Sequence, residues 1–308
     1  MLKIAVIIIN YNSSVYTIKC VESILEKTPE DFDFQIVVVD NNSDADDYYN
    51  LNNYFSEQKK EKVRLYRSHI NKGFGGGNMT GLQQCGPSEY VAFINNDTLF
   101  LNDCLSELYN FMKTHPEAGI TGGQSYNEKL GEIISFDHYA STTRQIFGRK
   151  FLELTSPKSH PRRKKSYSLP LRANTVSGSL MLVNRKNFNE IGGFDENLFL
   201  YYEETDLCLR LKKINRQCYL VPSAKYLHYH GISTEKSDRI KKELKISLVY
   251  LVEKHYGWFS KKVLLGYLCL SSFFAGIIKP RKWSFFKLYL QGAPLSKSLK
   301  LQQKITEL

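Results

Sequence analysis

The chain has 308 residues, 42% of them hydrophobic and 24% charged, enough for one large domain with an appendage or for two domains, and it has an ordinary globular composition. Its formal net charge of +11 suggests an anionic partner, whether nucleic acid, an acidic membrane surface or a phosphorylated ligand, although a merely soluble basic surface gives the same number. Six cysteines, at 20, 85, 104, 208, 218 and 269, form no C-x-x-C pair, which argues against a zinc knuckle or a disulfide framework and for free thiols in a reducing compartment.

The stretch "KIAVIII" is too short for a secretory core and runs into Asn10-Tyr11-Asn12 without a small-residue cleavage site. It reads as a first strand over 3–9, β-branched and buried on both faces, and the expected location is the cytoplasm. Val15, Ile18, Val21 and Ile24 recur at three- and four-residue steps and predict a helix over 14–27. "FQIVVVD" (34–40) is a second buried strand, followed by a Tyr-rich helix at about 45–58 and a short strand around 63–66. "NKGFGGGNMTGLQQC" (71–85) reads as a glycine-rich loop entering a helix. A strand over 90–94 and a helix over 102–113 follow. Residues 119–150 mix short strands and loops, and "SPKSHPRRKKSYSLP" (156–170) reads as a mobile basic loop. A strand returns within 173–188, a helix ends the stretch 192–213, and a last strand lies in 218–231. From about 236 the pattern is helical and basic. This alternation predicts an open, mostly parallel α/β sheet.

In such sheets ligands sit beyond the carboxyl ends of the strands. Three polar clusters occupy that edge: Asn10-Tyr11-Asn12, then Asp40 with Asn42 and Ser43, then Asn95-Asn96-Asp97. An unpaired buried carboxylate is costly, so Asp97 must reach water, a hydrogen-bonding partner or a cation. A plain turn explains one such cluster, but three at one edge are harder to dismiss. The glycines at 73, 75, 76, 77 and 81 could let backbone N–H groups approach an anion, yet neither a G-x-G-x-x-G fingerprint nor a P-loop is present. Glu203, Glu204 and Asp206 open a helix, where acidic residues are also ordinary dipole chemistry. His228 and His230 alternate at a strand end, so both point to one face if the strand continues.

Together, "IIINYNS", "VVVDNNSDAD", "NKGFGGGNMTG", "FINNDTLF", "VSGSLMLVNR", "GGFDENLFLYYEETDLCLRL" and "HYHGIS" resemble a family 2 glycosyltransferase of the GT-A fold, of the bacterial rhamnosyltransferase-like branch. The likeness spans 4–233, about three quarters of the chain. It implies a GT-A domain over 1–235 and leaves 236–308 as a C-terminal helical region. By that resemblance Asn95-Asn96-Asp97 stands where the family has its D-x-D-type motif, and Asp97 would bind Mg²⁺ or Mn²⁺ bridging the diphosphate of a nucleotide sugar. Asp40 would meet the nucleoside base, bordered by Asn10, Tyr11, Asn12 and Asn42. Asn71, Gly73 and Asn78 would lie near ribose and diphosphate, and His228, in the H-x-x-G element, would be a further metal or diphosphate contact. Glu204 takes the place of the family's usual aspartate base; the carboxylate is kept and its reach lengthened.

The implied reaction is inverting transfer from a dTDP- or UDP-sugar, rhamnose first, to a saccharide or lipid-linked acceptor in cell-surface polysaccharide synthesis. A nucleotidyltransferase would be expected to show a Gly- and Arg-rich loop after the first strand, where this chain has "NYNSS". A non-catalytic membrane scaffold would be expected to lack the metal carboxylate or the base. No nucleic-acid-binding motif appears. The run "VLLGYLCLSSFFAGII" (263–278) has 16 uncharged residues, fewer than the roughly 20 a spanning helix needs. Its flanks, Lys261-Lys262 and Lys279, Arg281, Lys282 and Trp283, predict a helix lying in an anionic leaflet at the inner face of the cell membrane. The competing expectation is a helical pair packed on the catalytic domain or in a homodimer.

Overall fold

The computed structural model describes residues 2–58, 61–229 and 237–306; His230 lies outside them. Strand β1 (Leu2–Asn10) leads through α1 (Ser14–Lys27) to β2 (Phe34–Asp40), α2 (Ala45–Gln58), β3 (Val63–Arg67), α3 (Gly73–Gln83) and β4 (Ser88–Asn95). Next come β5 (Thr98–Phe100), α4 (Cys104–Thr114), β6 (Ala118–Tyr126), β7 (Phe136–Asp137), α5 (Thr142–Phe147) and α6 (Arg149–Thr155). Then follow β8 (Leu171–Ala173), β9 (Thr175–Val176), β10 (Leu180–Asn184), α7 (Arg185–Glu190), α8 (Glu203–Lys213) and β11 (Gln217–His228). The C-terminal region holds α9 (Asp238–Ile278), broken at Gly257 by φ 83° and ψ 173°, and α10 (Trp283–Leu290).

Among the described residues nine strands form the main sheet, in the order β3-β2-β1-β4-β10-β6-β11-β5, with β8 paired to β11. Strands β1 to β4 run parallel to one another, as do β6 and β11, while β10, β5 and β8 are antiparallel to their neighbours. The register gathers the polar clusters: Asn10 sits opposite Asp40, Asp40 opposite Arg67, and Ile9 opposite Asn95. The predicted sheet edge is therefore real.

The sheet is covered on both faces, which is why β1 and β2 read as continuous apolar runs. Ile4, Val6 and Ile8 pack with Val21, Ile24 and Leu105 on one side, while Ile7, Phe93 and Phe188 pack with Leu207 and Leu211 on the other. A third cluster, including Ile246, Leu251, Leu264 and Leu288, is the core of the C-terminal helices. These helices are docked on the α/β body. Lys254 and His255 of α9 both reach Asp206 of α8, and Ser247 Oγ donates to the Leu200 carbonyl at 2.8 Å.

Two expectations change. The glycine-rich stretch is helix from Gly73 onward, not a loop. Its glycines serve close packing on the sheet: a Cβ at Gly81 would lie 2.5 Å from Ile7 Cγ2, and one at Gly77 would lie 3.0 Å from Ile9 Cδ1. The basic loop at 156–170 is pinned in part, because Arg163 Nε lies 3.4 Å from Asp137 and 3.3 Å from Glu153.

Candidate active site

A cavity of about 990 Å³ opens over the carboxyl ends of β1 to β4. Tyr11, Asn42, Asn71, Gly73, Asn95, Asn96 and Asp97 line it, as expected from the sequence. Arg67 lines it too and was not foreseen, although it ends β3 at the same edge. Asn71 Oδ1 accepts from the Gly73 N–H and from Asn41 Nδ2, both at 2.9 Å, and so shapes the entry to α3. Gly73 has φ +70°, and a Cβ there would lie 2.1 Å from the Phe199 carbonyl oxygen; only glycine fits.

Four of the residues expected to contact the nucleotide sugar sit outside the cavity lining. Asn10 and Asp40 are wholly buried beneath the floor. Asn10 Nδ2 donates to Asp40 at 3.0 Å and to Asp47 at 2.7 Å, while Asp40 accepts from the Ser43 N–H and lies 3.7 Å from Arg67. They hold the residues that do face the cavity. Burial works against the Asp47 carboxylate, but bonds from Asn10 and Ser14 outweigh it and hold the group below its ordinary range. Asn12 has φ +49° and accepts from the Asp44 N–H, so it sets a loop. Asn78 is buried in α3 and donates to the Phe74 carbonyl one turn back.

At the β4 end of the cavity, Asp97 Oδ1 and His228 Nε2 stand 3.2 Å apart. Strand pairing brings them together: Thr98 of β5 faces His228 of β11, and the Tyr229 N–H donates to the Asp97 carbonyl. Both side chains are nearly buried, and Asp97 belongs to the cavity lining. They offer one oxygen and one nitrogen donor of the kind a divalent cation takes, and its other positions would be left to ligand or water oxygens. Among the described residues no cluster of three or more His, Cys, Asp or Glu side chains offers a complete protein cage. Asn96 Nδ2 donates to Ser13 and Thr17 and ties the strand end to α1.

The three acids of α8 separate by environment. The chain enters α8 through Tyr201 and Tyr202, both in the left-handed region, at φ 75° and 70°. Non-glycine residues hold that backbone only where their surroundings enforce it. Asp206 is fully buried. Burial alone would raise its carboxyl, but His255, Arg210 and Lys254 outweigh that and hold it near about 2. Its task is to bind α8 to α9. Glu203 is also buried, its Oε1 has no hydrogen-bond partner among the described residues, and burial with the Glu204 charge drives its carboxyl well above the usual range. Glu204 is less enclosed than Glu203. Burial pushes it up to about 7, with the Asp137 charge acting in the same direction and Arg144 opposing. Its Oε2 lies 4.0 Å from the point where a Gly178 Cβ would sit, and the Phe74 ring borders the same point at 3.9 Å. Phe74 lines the cavity, so Glu204 stands just beyond the ring.

The sequence profile of Glycosyl transferase family 2 matches residues 5–192, more than half of the chain. The chain belongs to that family. Over 102 residues it is 36% identical to the N-acetylglucosaminyl-diphospho-decaprenol L-rhamnosyltransferase of Mycobacterium tuberculosis, covering 32% of this chain and 33% of that protein. Over 80 residues it is 36% identical to Rhamnosyltransferase WbbL of Escherichia coli K12, covering 25% and 30%. The chain thus spans about a third of the length of these curated relatives. In three dimensions it is similar to GalNAc-T7 solved with UDP, GalNAc and Mn²⁺, with a TM-score of 0.64 at 15% identity over 94% of this chain and 56% of that one. It is also similar to the mannosyltransferase PcManGT of Pyrobaculum calidifontis, solved with GDP-Man and Mn²⁺, with a TM-score of 0.57 at 15% identity over 94% and 85%. These likenesses show the GT-A fold expected from the sequence.

Proposed function

We propose that this family 2 glycosyltransferase moves rhamnose or a similar sugar, with inversion, from a dTDP- or UDP-sugar to a saccharide or lipid-linked acceptor of a cell-surface polysaccharide. The observation that carries the reading is the disposition of two chemistries: the Asp97–His228 pair at the rim of the cavity and the raised carboxyl of Glu204 beyond Phe74. The rhamnosyl relatives support the choice of sugar. Mg²⁺ or Mn²⁺ held by Asp97 and His228 would supply charge stabilisation for the departing diphosphate.

The remaining chemistry belongs to the chain. Tyr11, Asn42, Arg67 and Asn71 bind the nucleoside, with Asp40 and Asn10 holding Arg67 and the loop after β2 from below. Gly73 and Phe74 bring the start of α3 against the donor, with Asn78 fixing that turn from inside the helix; Asn95 borders the sugar diphosphate, and Asn96 anchors the strand end. Glu204, in its charged form, takes the proton of the acceptor hydroxyl. The acceptor oxygen bonds to the anomeric carbon while the bond to the diphosphate oxygen breaks on the opposite face. The bonding pair leaves with the nucleoside diphosphate, and Glu204 later returns its proton to water. Calorimetry with dTDP-, UDP- and GDP-sugars, with divalent metal and with chelator, followed by product analysis of the best donor, tests the reading. It fails if no nucleotide sugar binds.

The same reading puts the enzyme on an anionic membrane at the cytoplasmic face. The second arm of α9, 258–278, turns Leu264, Leu265 and Leu268 inward and Phe259, Val263, Leu270, Phe274 and Ile278 outward, with Phe259 74% and Ile278 80% exposed. An 18-residue window of α9 reaches a mean hydropathy of 1.5. The inward leucines favour a helix lying along a bilayer rather than crossing it. Trp283, expected at the interface, packs on Phe273 and Phe286, and Trp258, 64% exposed, is the ring available to lipid. Lys261, Lys262, Lys279, Arg281 and Lys282 flank the face and match acidic headgroups. Flotation of the full chain with anionic but not neutral vesicles at low salt is expected. A chain that stays in solution as a dimer would assign the face to a second copy instead.

A further inference from the structure

The cavity has one wall that comes from the C-terminal region rather than from the strand ends. Gln302, Gln303, Lys304 and Thr306 line it beside Asn42 and Arg67. The segment is fixed at its root and farther along. Buried Glu243 of α9 accepts from Ser298 Oγ at 2.7 Å and from the Leu299 N–H at 2.8 Å, and Arg239 Nη2 donates to Gln302 Oε1 at 2.9 Å. Asn42 Nδ2 then donates to the Lys304 carbonyl at 3.3 Å, and the Thr306 N–H donates to the His69 carbonyl at 2.9 Å. Asn42 follows β2 and His69 follows β3. The strand order β3-β2-β1-β4 puts both at the end of the cavity opposite Asp97, which follows β4. A diphosphate held at Asp97 therefore directs its nucleoside toward this segment.

We infer that residues 302–306 form the nucleoside-recognising wall of the donor cavity, so that this segment, with the strand-end residues, sets which nucleoside diphosphate is bound. The inference rests on the donor reading above. A wall of amide, ammonium and backbone groups can match the hydrogen-bonding edges of a base and the ribose hydroxyls. A wall of that kind discriminates sharply, because the wrong partner leaves polar groups unpaired. The two hydrogen bonds to Asn42 and His69 hold the segment in place, so loosening them lowers nucleoside affinity and leaves the diphosphate end untouched.

The test is calorimetry with UDP, dTDP, GDP and inorganic pyrophosphate, each with Mn²⁺, on the full chain and two full-length variants. Thr306→Pro removes the N–H that reaches His69. A triple variant, Gln303→Gly, Lys304→Gly and Ile305→Gly, removes the side chains and loosens the backbone. Both are expected to bind the preferred nucleoside diphosphate about tenfold more weakly, the worth of roughly one hydrogen bond. They should also discriminate less between nucleosides and bind pyrophosphate as the unaltered chain does. Unchanged nucleotide affinity and discrimination overturn the inference and leave the donor reading intact. Tighter nucleotide binding overturns it too, because the segment then obstructs the cavity, as does parallel loss of pyrophosphate, because the segment then acts on the whole site. An unaltered chain that binds neither nucleotide nor pyrophosphate overturns the donor reading and the inference with it.

Discussion

Replacing Glu204 by Gln keeps the shape of the side chain and removes its ability to take a proton. A positioned general base contributes about 10²–10⁴-fold, so transfer should slow by that factor while donor affinity stays within about twofold. The pH dependence sharpens the test. Burial raises the carboxyl from an ordinary 4.5 to about 7, so kcat/KM of the unaltered enzyme should climb with pH and level off above about 7. In the Gln variant that rise should vanish. The same shift has a consequence for stability. The folded chain holds the proton more tightly than the unfolded chain, so this group's contribution is fully present below pH 4.5, is lost as pH rises toward about 7, and stays lost above it. The difference corresponds to about 1–3 kcal/mol. Gln is neutral at every pH, so at pH 8 the variant should be the more stable protein by that amount and at pH 4 about equal. Initial rates against pH and urea unfolding at both pH values measure this. A Gln variant within tenfold of full activity, or an unaltered enzyme with a flat profile between pH 5 and 8, would sink the assignment of Glu204 as base.

Asp97→Ala should abolish metal-dependent donor turnover and leave the melting temperature nearly unchanged; turnover with normal metal dependence would remove Asp97 from that role. Gly73→Ala forces a Cβ onto the Phe199 carbonyl at φ +70° and should cost more than about 1 kcal/mol in urea unfolding, with weaker nucleotide binding besides. Asp206→Ala leaves Lys254, His255 and Arg210 without their shared carboxylate and should destabilise the fold by about 3–5 kcal/mol. A loss below about 1 kcal/mol would mean that α9 is held to α8 by packing alone.

The strands and their common edge were legible because burial on both faces of a parallel sheet leaves an unmistakable mark. The expected 3–9, 34–40 and 90–94 became Leu2–Asn10, Phe34–Asp40 and Ser88–Asn95, and the polar residue after each run lies where the connection turns. Depth was not legible. Asn10, Asp40 and Asn78 have the residue types of ligand contacts and stand at or near the right edge, yet all three are buried and bonded to neighbouring protein groups. Spacing along a chain says which end of a strand a residue occupies, not on which side of a cavity floor its side chain ends. The glycines misled for a related reason. A missing Cβ serves close approach to a phosphate and close approach of a helix to a sheet equally well, and only the 2.5 Å that would separate a Gly81 Cβ from Ile7 separates the two.

The pairing of Asp97 with His228 marks the other boundary of sequence reasoning. Their juxtaposition follows from the antiparallel contact of β5 with β11, a three-residue register that no local pattern announces. Resemblance supplied it; periodicity did not. The segment 302–306 had neither source, because "QQKIT" carries no period, no cap and no motif, and the structure alone puts it against Asn42. The acids of α8 lie between these extremes. Resemblance put the proposed base at Glu204, and the environments of the three acids support that reading. Asp206 is bonded to Arg210, Lys254 and His255, Glu203 is buried, and Glu204 is the less enclosed of the two raised carboxyls, which supports its proposed role. A carboxyl raised to about 7 would take a proton readily and still start charged in a useful fraction of molecules, which is the compromise that general-base catalysis at neutral pH demands and the reason the proposal rests on Glu204.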